Sequence, residues 1–369
     1  MSWSTVRADQ FCTLITDGTH DSPKPQQSGR KLITSKHLKG HYIDFDSANW
    51  ISEADYQKVI SRSAVEQWDI LFSMIGTIGN IYLENNPHVE YACKNMGIFK
   101  FSGNKADAFW MYYYLKSPQA KAYIQTHLRG STQAYMPLGG LRDMPVPVPP
   151  QSVRNAIIAI LRPVDEKIVC NNAINDNLQQ QAQAIYSSMF IDNPNPAWKH
   201  GHLSDLITVK YGKDHKKLAD GIYPVYGSGG IMRYAERPLY NKESVLIPRK
   251  GTLNNVIYVN QPFWSVDTMF YTEMKIPNVA KFVYHFVKAK DLASMNAGSA
   301  VPSMTTDILN AMEVVIPSAP DLEEFESLVA PMYKAMEANH VQSQVLSRMR
   351  DTLLPKLMSG EIDVSAVQL

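Results

Sequence analysis

Cysteine is scarce: Cys12, Cys93 and Cys170 are the only three in 369 residues, and they stand about 80 residues apart. That spacing suits neither a disulfide framework nor a zinc knuckle, and it points to a reducing, cytoplasmic setting. Long apolar runs are also missing. None approaches the roughly 20 residues that cross a bilayer, so no membrane partner is expected. The opening MSWSTVRADQ has no basic-then-apolar export pattern. There is no Gly-Lys-Ser/Thr phosphate loop, which removes the usual ATPase signature. The ten histidines show no paired metal-ligand spacing. No Ser or Cys nucleophile comes with a partner motif.

What is present describes a soluble globular protein of two domains plus connectors, with 45% apolar and 19% charged residues. The net charge of +1 is unevenly spread. Residues 1–150 carry 15 Lys/Arg against 13 Asp/Glu, and residues 196–318 carry 14 against 10. Residues 151–195 carry 3 against 4, and residues 319–369 carry 4 against 8. Two mildly basic segments thus alternate with two acidic ones. A basic bias this mild fits nucleic acid and ordinary surface variation equally well.

The chain contains its own copy. Gly130-Ser131 recurs as Gly298-Ser299, an offset of 168. Holding that offset, Met136 meets Met304, Leu141 meets Leu309, Met144 meets Met312 and Val146 meets Val314. Pro149 meets Pro317, Pro163 meets Pro331, Asn171 meets Asn339 and Leu178 meets Leu346. Upstream the offset drifts, as loops of unequal length require. FWMYYYLKS (109–117) matches KFVYHFVKA (281–289) at 172, and DILFSMIGTIGN (69–80) matches SVLIPRKGTLNN (244–255) at 175. The shared Gly76-Thr77 and Gly251-Thr252 sit between apolar runs that read as strands joined by a turn.

Two heptad seams follow the two basic segments. Ile157, Leu161, Val164, Ile168, Asn171, Asn175, Leu178, Ala182, Ile185 and Met189 alternate spacings of four and three. So do Phe325, Val329, Met332, Met336, Asn339, Ser343, Leu346, Arg350, Leu353 and Leu357. Both seams are polar in the middle. An antiparallel pair with matched ends places Asn171 on Ser343 and Asn175 on Asn339, so each polar side chain gains a partner. The alternative is that each helix docks only on its own domain. Pro163 and Pro331 mark a start or a kink in each. A helix of about 39 residues is about 58 Å long, and such a pair would carry one head at each end. The expected class is α+β: two pseudo-symmetric globular α/β heads joined by two long antiparallel coiled-coil helices. The heads are residues 1–150 and 196–318, and the helical spacers are 151–195 and 319–369.

Two similar but non-identical heads suit a DNA target with two different half-sites. Polar, Gly-rich turns with basic neighbours are the candidate contacts. One is Asp17-Gly18-Thr19-His20-Asp21, with Thr19 and His20, followed by Lys24, Arg30, Lys31 and Lys36. Others are Thr77, then Tyr226-Gly227-Ser228-Gly229-Gly230 with Arg233, then Arg249-Lys250-Gly251-Thr252 with Asn254. Arg, Lys and Asn read base edges, and backbone N–H groups in Gly loops hold phosphates. Plain surface turns and solvated lysines remain the alternative. Tyr112, Tyr113 and Tyr114 could stack on bases, but on a helix they suit a core.

Catalysis is not evident. Asn193-Pro194-Asn195-Pro196 lacks the second Pro and the aromatic of the amino-methyltransferase motif, and reads as a helix breaker. Asp165-Glu166-Lys167 has the Asp-x-Lys ending of some nucleases, but lies in a heptad helix with no matched upstream Asp.

These residues resemble the specificity (S, HsdS-type) subunits of type I restriction-modification systems, and the resemblance runs through essentially the whole chain. DGTHDSP, DILFSMIGTIGN, YPVYGSGGIMRY, PRKGTLNNVIYV and PFWSVDTMFY look like that family's target-recognition domains. MPVPVPPQSVRNAIIAIL and LLPKLMSGEIDV look like the ends of its helical regions. The resemblance implies that each head reads half of a bipartite, asymmetric double-stranded DNA site, with the helical pair setting the unread gap. It implies two methyltransferase subunits using S-adenosylmethionine, and up to two restriction subunits using ATP and Mg²⁺. No cofactor is then expected in this chain. An enzyme with an unrecognised site, an orphan subunit, the reader of another phage-defence assembly and a pure coiled-coil scaffold are the competing readings.

Overall fold

A computed structural model of the chain describes residues 3–295 and 303–364. The Gly298-Ser299 match lies outside the described residues. The chain divides into two compact units. The first takes the residues up to Asn171 together with those from His340 onward, and the second is Asn172–Asn339.

The first unit contains β1 (Ser4–Arg7), β2 (Leu14–Asp17), β3 (Arg30–Ile33), β4 (Asn49–Ile51), β5 (Ile70–Ser73), β6 (Ile81–Leu83), β7 (Tyr91–Cys93), β8 (Met96–Lys100) and β9 (Pro145–Val148). Its helices are α1 (Ala8–Phe11), α2 (Glu53–Ser63), α3 (Lys105–Lys116), α4 (Pro118–His127) and α5 (Leu138–Asp143), followed by the start of α6 (Gln151–Ser187). The strands form a β1-β9 pair, a four-stranded sheet β2-β8-β5-β6 and a three-stranded sheet β4-β3-β7 in which β3 and β7 are parallel.

The second unit contains β10 (Lys199–His202), β11 (Ile207–Tyr211), β12 (Asp220–Gly227), β13 (Gly230–Ala235), β14 (Ser244–Pro248), β15 (Ile257–Val259), β16 (Trp264–Ser265), β17 (Met269–Met274) and β18 (Glu313–Ile316). Its helices are α7 (Leu203–Leu206), α8 (Ala280–Lys288), α9 (Thr306–Asn310) and the start of α10 (Ala319–Ser359). Its sheets are β10-β18, β11-β17-β14-β15 and β13-β12-β16, with β12 and β16 parallel. Every strand of the first unit has its counterpart nine strands later, in the same sheet position. The sequence duplication is therefore a duplication of topology. The strand–turn–strand around Gly76-Thr77 is β5–β6, and that around Gly251-Thr252 is β14–β15.

In the first unit α3 is buried almost all round, so Trp110, Tyr112, Tyr113 and Tyr114 belong to the core and not to a stacking platform. The Trp110 indole N–H donates to the Pro147 carbonyl at 2.8 Å, which pins α3 to β9. Ile157 and Leu161 of α6 share that core with Leu354, Leu357 and Met358 of α10. In the second unit Tyr186 and Phe190 cluster with Phe282 and Phe325.

Both long helices run through their prolines instead of starting there. Where they pair, they are antiparallel and in the expected register. In the first unit the Asn171 amide donates to Ser343 Oγ at 3.1 Å and to Gln342 Oε1 at 2.9 Å. In the second, the Asn339 amide donates to Asn175 Oδ1 at 2.9 Å, and the Asn175 amide donates to the Met336 carbonyl at 3.0 Å. Apolar residues at these positions would allow the helices to slide; amides tie them to one register. Asn175→Ala removes two of these bonds. It is expected to cost about 1–3 kcal/mol in urea denaturation, with an unchanged denaturant slope.

Candidate nucleic-acid interface

In the first unit the polar turn after β2 and one face of α2 enclose a cleft of about 790 Å³, lined among others by Thr19, His20, Asp21, Lys24, Lys58 and Arg62. Helix α2 starts cleanly because Ser52 Oγ accepts the Asp55 N–H at 3.1 Å. From its last turn, Arg62 donates to the carbonyls of Asp17 (3.2 Å) and Gly18 (3.0 Å). Asp17 is buried, and its carboxylate holds His20 Nε2 at 2.8 Å while His20 Nδ1 meets Asn95 Oδ1 at 2.9 Å. The imidazole is exposed yet fixed from both sides. Gly18 is required here, since a Cβ would stand 2.2 Å from the Cys93 carbonyl oxygen.

The candidate residues of this unit divide by their partners. Thr19 is buried and caps its own turn, accepting the Asp21 N–H at 3.1 Å. Lys24 and Lys36 are exposed, with no ion-pair partner among the described residues. Arg30 is neutralised by Glu53 (3.1 Å) and Glu90 (2.8 Å) and lies over the Tyr56 ring. Lys31 donates to the Ala48 carbonyl and lies 4.0 Å from the Trp50 ring centre. Thr77 is exposed in the β5–β6 turn. The structure thus gathers Thr19, His20 and Lys24 at one cleft and gives Arg30 and Lys31 bonds that brace β3 and β4. Lys58 and Arg62 escaped sequence reasoning because α2 carries no motif.

In the second unit no α2 counterpart exists: only eight residues connect β13 to β14. The strands that correspond to β3 and β4 are longer and form a hairpin, β12–β13, turning at Ser228-Gly229. The loop after β14 supports the turn. The Asn255 amide donates to the Ser228 carbonyl at 2.8 Å, and Gly251, at φ +86°, leaves room for Ser228 Oγ. Arg249 lies over the exposed Tyr211 ring at 5.3 Å, and Lys250 and Thr252 are exposed. Gly229 is exposed and Ser228 half-buried. Tyr226, by contrast, is 8% exposed and packs on Phe263 within the core. Arg233 is held by Asp220 (2.7 Å) and the Leu218 carbonyl (2.9 Å). Asn254 ties Asp291 and Ala293 to its loop. The run Lys213-Asp214-His215-Lys216-Lys217 precedes the hairpin with its three lysines exposed. That run lies close before the Gly-rich turn in the sequence, with no motif to single it out.

The first unit therefore presents a polar cleft of mixed charge, in which Lys58 pairs with Asp21 at 3.2 Å, and the second a hairpin with exposed lysines in the loop before it. A family profile described as the type I restriction modification DNA specificity domain matches residues 3–180 and 195–328. Among curated relatives, the MjaIX specificity subunit of Methanocaldococcus jannaschii is 23% identical, with 90% of this chain and 86% of that one covered. The HindI specificity subunit of Haemophilus influenzae is 19% identical, covering 82% and 88%. The S subunit of the M. genitalium type I restriction-modification system shares the fold, with a TM-score of 0.59 at 17% identity over 97% of this chain and 96% of that one. With both repeated units matched by the family profile, the chain belongs to the type I restriction-modification DNA specificity family.

Proposed function

We propose that this chain is the non-catalytic, sequence-reading subunit of a cytoplasmic type I complex on double-stranded DNA. The first unit reads one half of a split, asymmetric site and the second unit reads the other. One observation carries this reading: two units of equal strand topology differ where the first has α2 and the second a longer β12–β13 hairpin, with exposed polar and basic side chains on these elements and the loops next to them. Two methyltransferase subunits would supply S-adenosylmethionine-dependent adenine methylation. Up to two restriction subunits would supply ATP- and Mg²⁺-dependent cleavage. Val341, Val345 and Met349, four residues apart on α10 and each about half exposed, form an apolar stripe that supports docking of such partners.

The test is co-expression with the cognate methyltransferase subunits in a methylation-free host, followed by single-molecule methylome sequencing. A split N6-methyladenine motif that vanishes without this chain is the expected result. An unbroken motif, or methylation independent of this chain, overturns the reading. A low net charge also means that the isolated chain binds weakly and the assembled complex tightly. Replacing Lys213, Lys216 and Lys217 together with alanine is expected to lower the complex's log–log salt slope by about 2–3, since each phosphate that a lysine neutralises adds roughly 0.9 to it. Affinity measured across a salt series checks this.

A further inference from the structure

The hairpin β12–β13 exposes apolar side chains that no core needs: Ile222 is 78% exposed, Met232 61% and Tyr234 41%. Met232 lies across Gly227 next to the turn, where a Cβ on that glycine would meet its sulfur at 2.5 Å. Basic side chains flank this ribbon. Lys213 is held at Ser265, the β16 residue beside Tyr226, and Arg233 and Glu236 bond the carbonyls of Leu218 and Ala219, so the Lys213–Lys217 run lies along one side of the hairpin. At the turn, Ser228 meets the loop that carries Arg249 and Lys250. Five residue steps from Ile222 to Gly227 span about 17 Å at roughly 3.3 Å each. The major groove is about 12 Å wide and admits a two-stranded ribbon. Basic side chains beside exposed apolar ones complement that groove, where phosphates line the rim and the one apolar group on a base edge is the C5-methyl of thymine.

We propose that the second unit enters the major groove with this hairpin and recognises thymine methyl groups through Ile222 and Met232. This rests on the DNA-reading role proposed above and specifies its chemistry in one half-site. In the first unit the exposed apolar side chains of β4 and of the β3–β4 connection are the aromatics Tyr42, Phe45 and Trp50, and neither β3 nor β4 exposes an aliphatic side chain.

The experiment uses the complex of the full chain with its methyltransferase subunits, and duplexes carrying the methylome-derived motif. Binding of the unsubstituted duplex tests the DNA-reading role by itself; if it fails, that role and this inference both fall. Each thymine is then replaced singly by deoxyuridine, which deletes only the methyl group. Wild-type complex is expected to lose roughly fourfold in affinity per contacted methyl, at one or two positions confined to one half-site. Ile222→Ser and Met232→Ser are expected to bind the thymine and deoxyuridine duplexes equally, at the affinity wild type shows for deoxyuridine. Equal wild-type affinity for every duplex overturns the proposal, as does methyl dependence that survives both variants. Loss of methyltransferase binding by the variants in gel filtration overturns it too, since that assigns the hairpin to a protein partner.

Discussion

Arg350→Ala is expected to destabilise the first unit by about 3–5 kcal/mol, the usual cost of stranding a buried charge. The charge is Asp165, 7% exposed, which pairs with Arg350 at 2.8 Å and Lys116 at 3.2 Å. Burial alone would raise the Asp165 pKa, but Lys116 and Arg350 outweigh it and hold the carboxyl below its ordinary range. The nearby Tyr113 hydroxyl is pushed up, first by burial and then by that charge. A carboxyl depressed in the folded state adds stability above its unfolded pKa of about 3.9 and loses it as pH falls further. The gap between wild type and variant should therefore be full at neutral pH and shrink below about pH 4. Urea denaturation at both pH values measures it. A loss below 1 kcal/mol at pH 7 would show that Lys116 alone suffices.

The second unit answers the same position with different chemistry. At the two repeat offsets Tyr113 corresponds to His285, and Asp165 to Tyr333. His285 is fully buried; its Nδ1 donates to Gln183 Oε1 at 2.7 Å, leaving Nε2 to accept the Tyr333 hydroxyl at 2.9 Å. Burial pushes its pKa down to about 4. The unfolded chain takes up this proton near pH 6.5 and the folded unit only near 4, so folding stability is lost as pH falls between those values. The shift amounts to about 3 kcal/mol. His285→Gln should flatten the stability of the second unit across this window, whatever its absolute stability. Thermal unfolding at pH 7 and pH 4.5 decides it, and an unchanged slope would place the acid sensitivity elsewhere.

How much was legible follows from how local each signal is. The polar layers stood out because two polar side chains broke an apolar spacing in each copy, Asn171 and Asn175 in the first and Asn339 and Ser343 in the second, and the antiparallel register followed from satisfying them. The repeat survived in α6, α10, β9 and β18, where packing fixes length and insertions are excluded. Asp165–Arg350 stayed hidden because its partners are 185 residues apart and Asp165 sits one place off the heptad seam. The parallel contacts β3–β7 and β12–β16 were equally unreadable, since short strands pair by tertiary packing and not by pattern. At the candidate interface, composition found the turns but not their partners. Arg30 and Arg233 look like free cations in the sequence and are spent on Glu53, Glu90 and Asp220. Tyr226 looks like a surface aromatic and fills a core.

The first unit closes only with the chain from His340 onward, and this has a consequence for synthesis. As the polypeptide leaves the ribosome, the stretch that ends at Asn171 emerges with Ile157, Leu161 and Asp165 uncovered. They wait until the whole of the second unit has been made before Arg350, Leu354 and Leu357 arrive. Of the two units, the one whose synthesis starts earlier is thus the later to reach its final form. A nonsense codon shortly after His340 would injure the first unit more than the second.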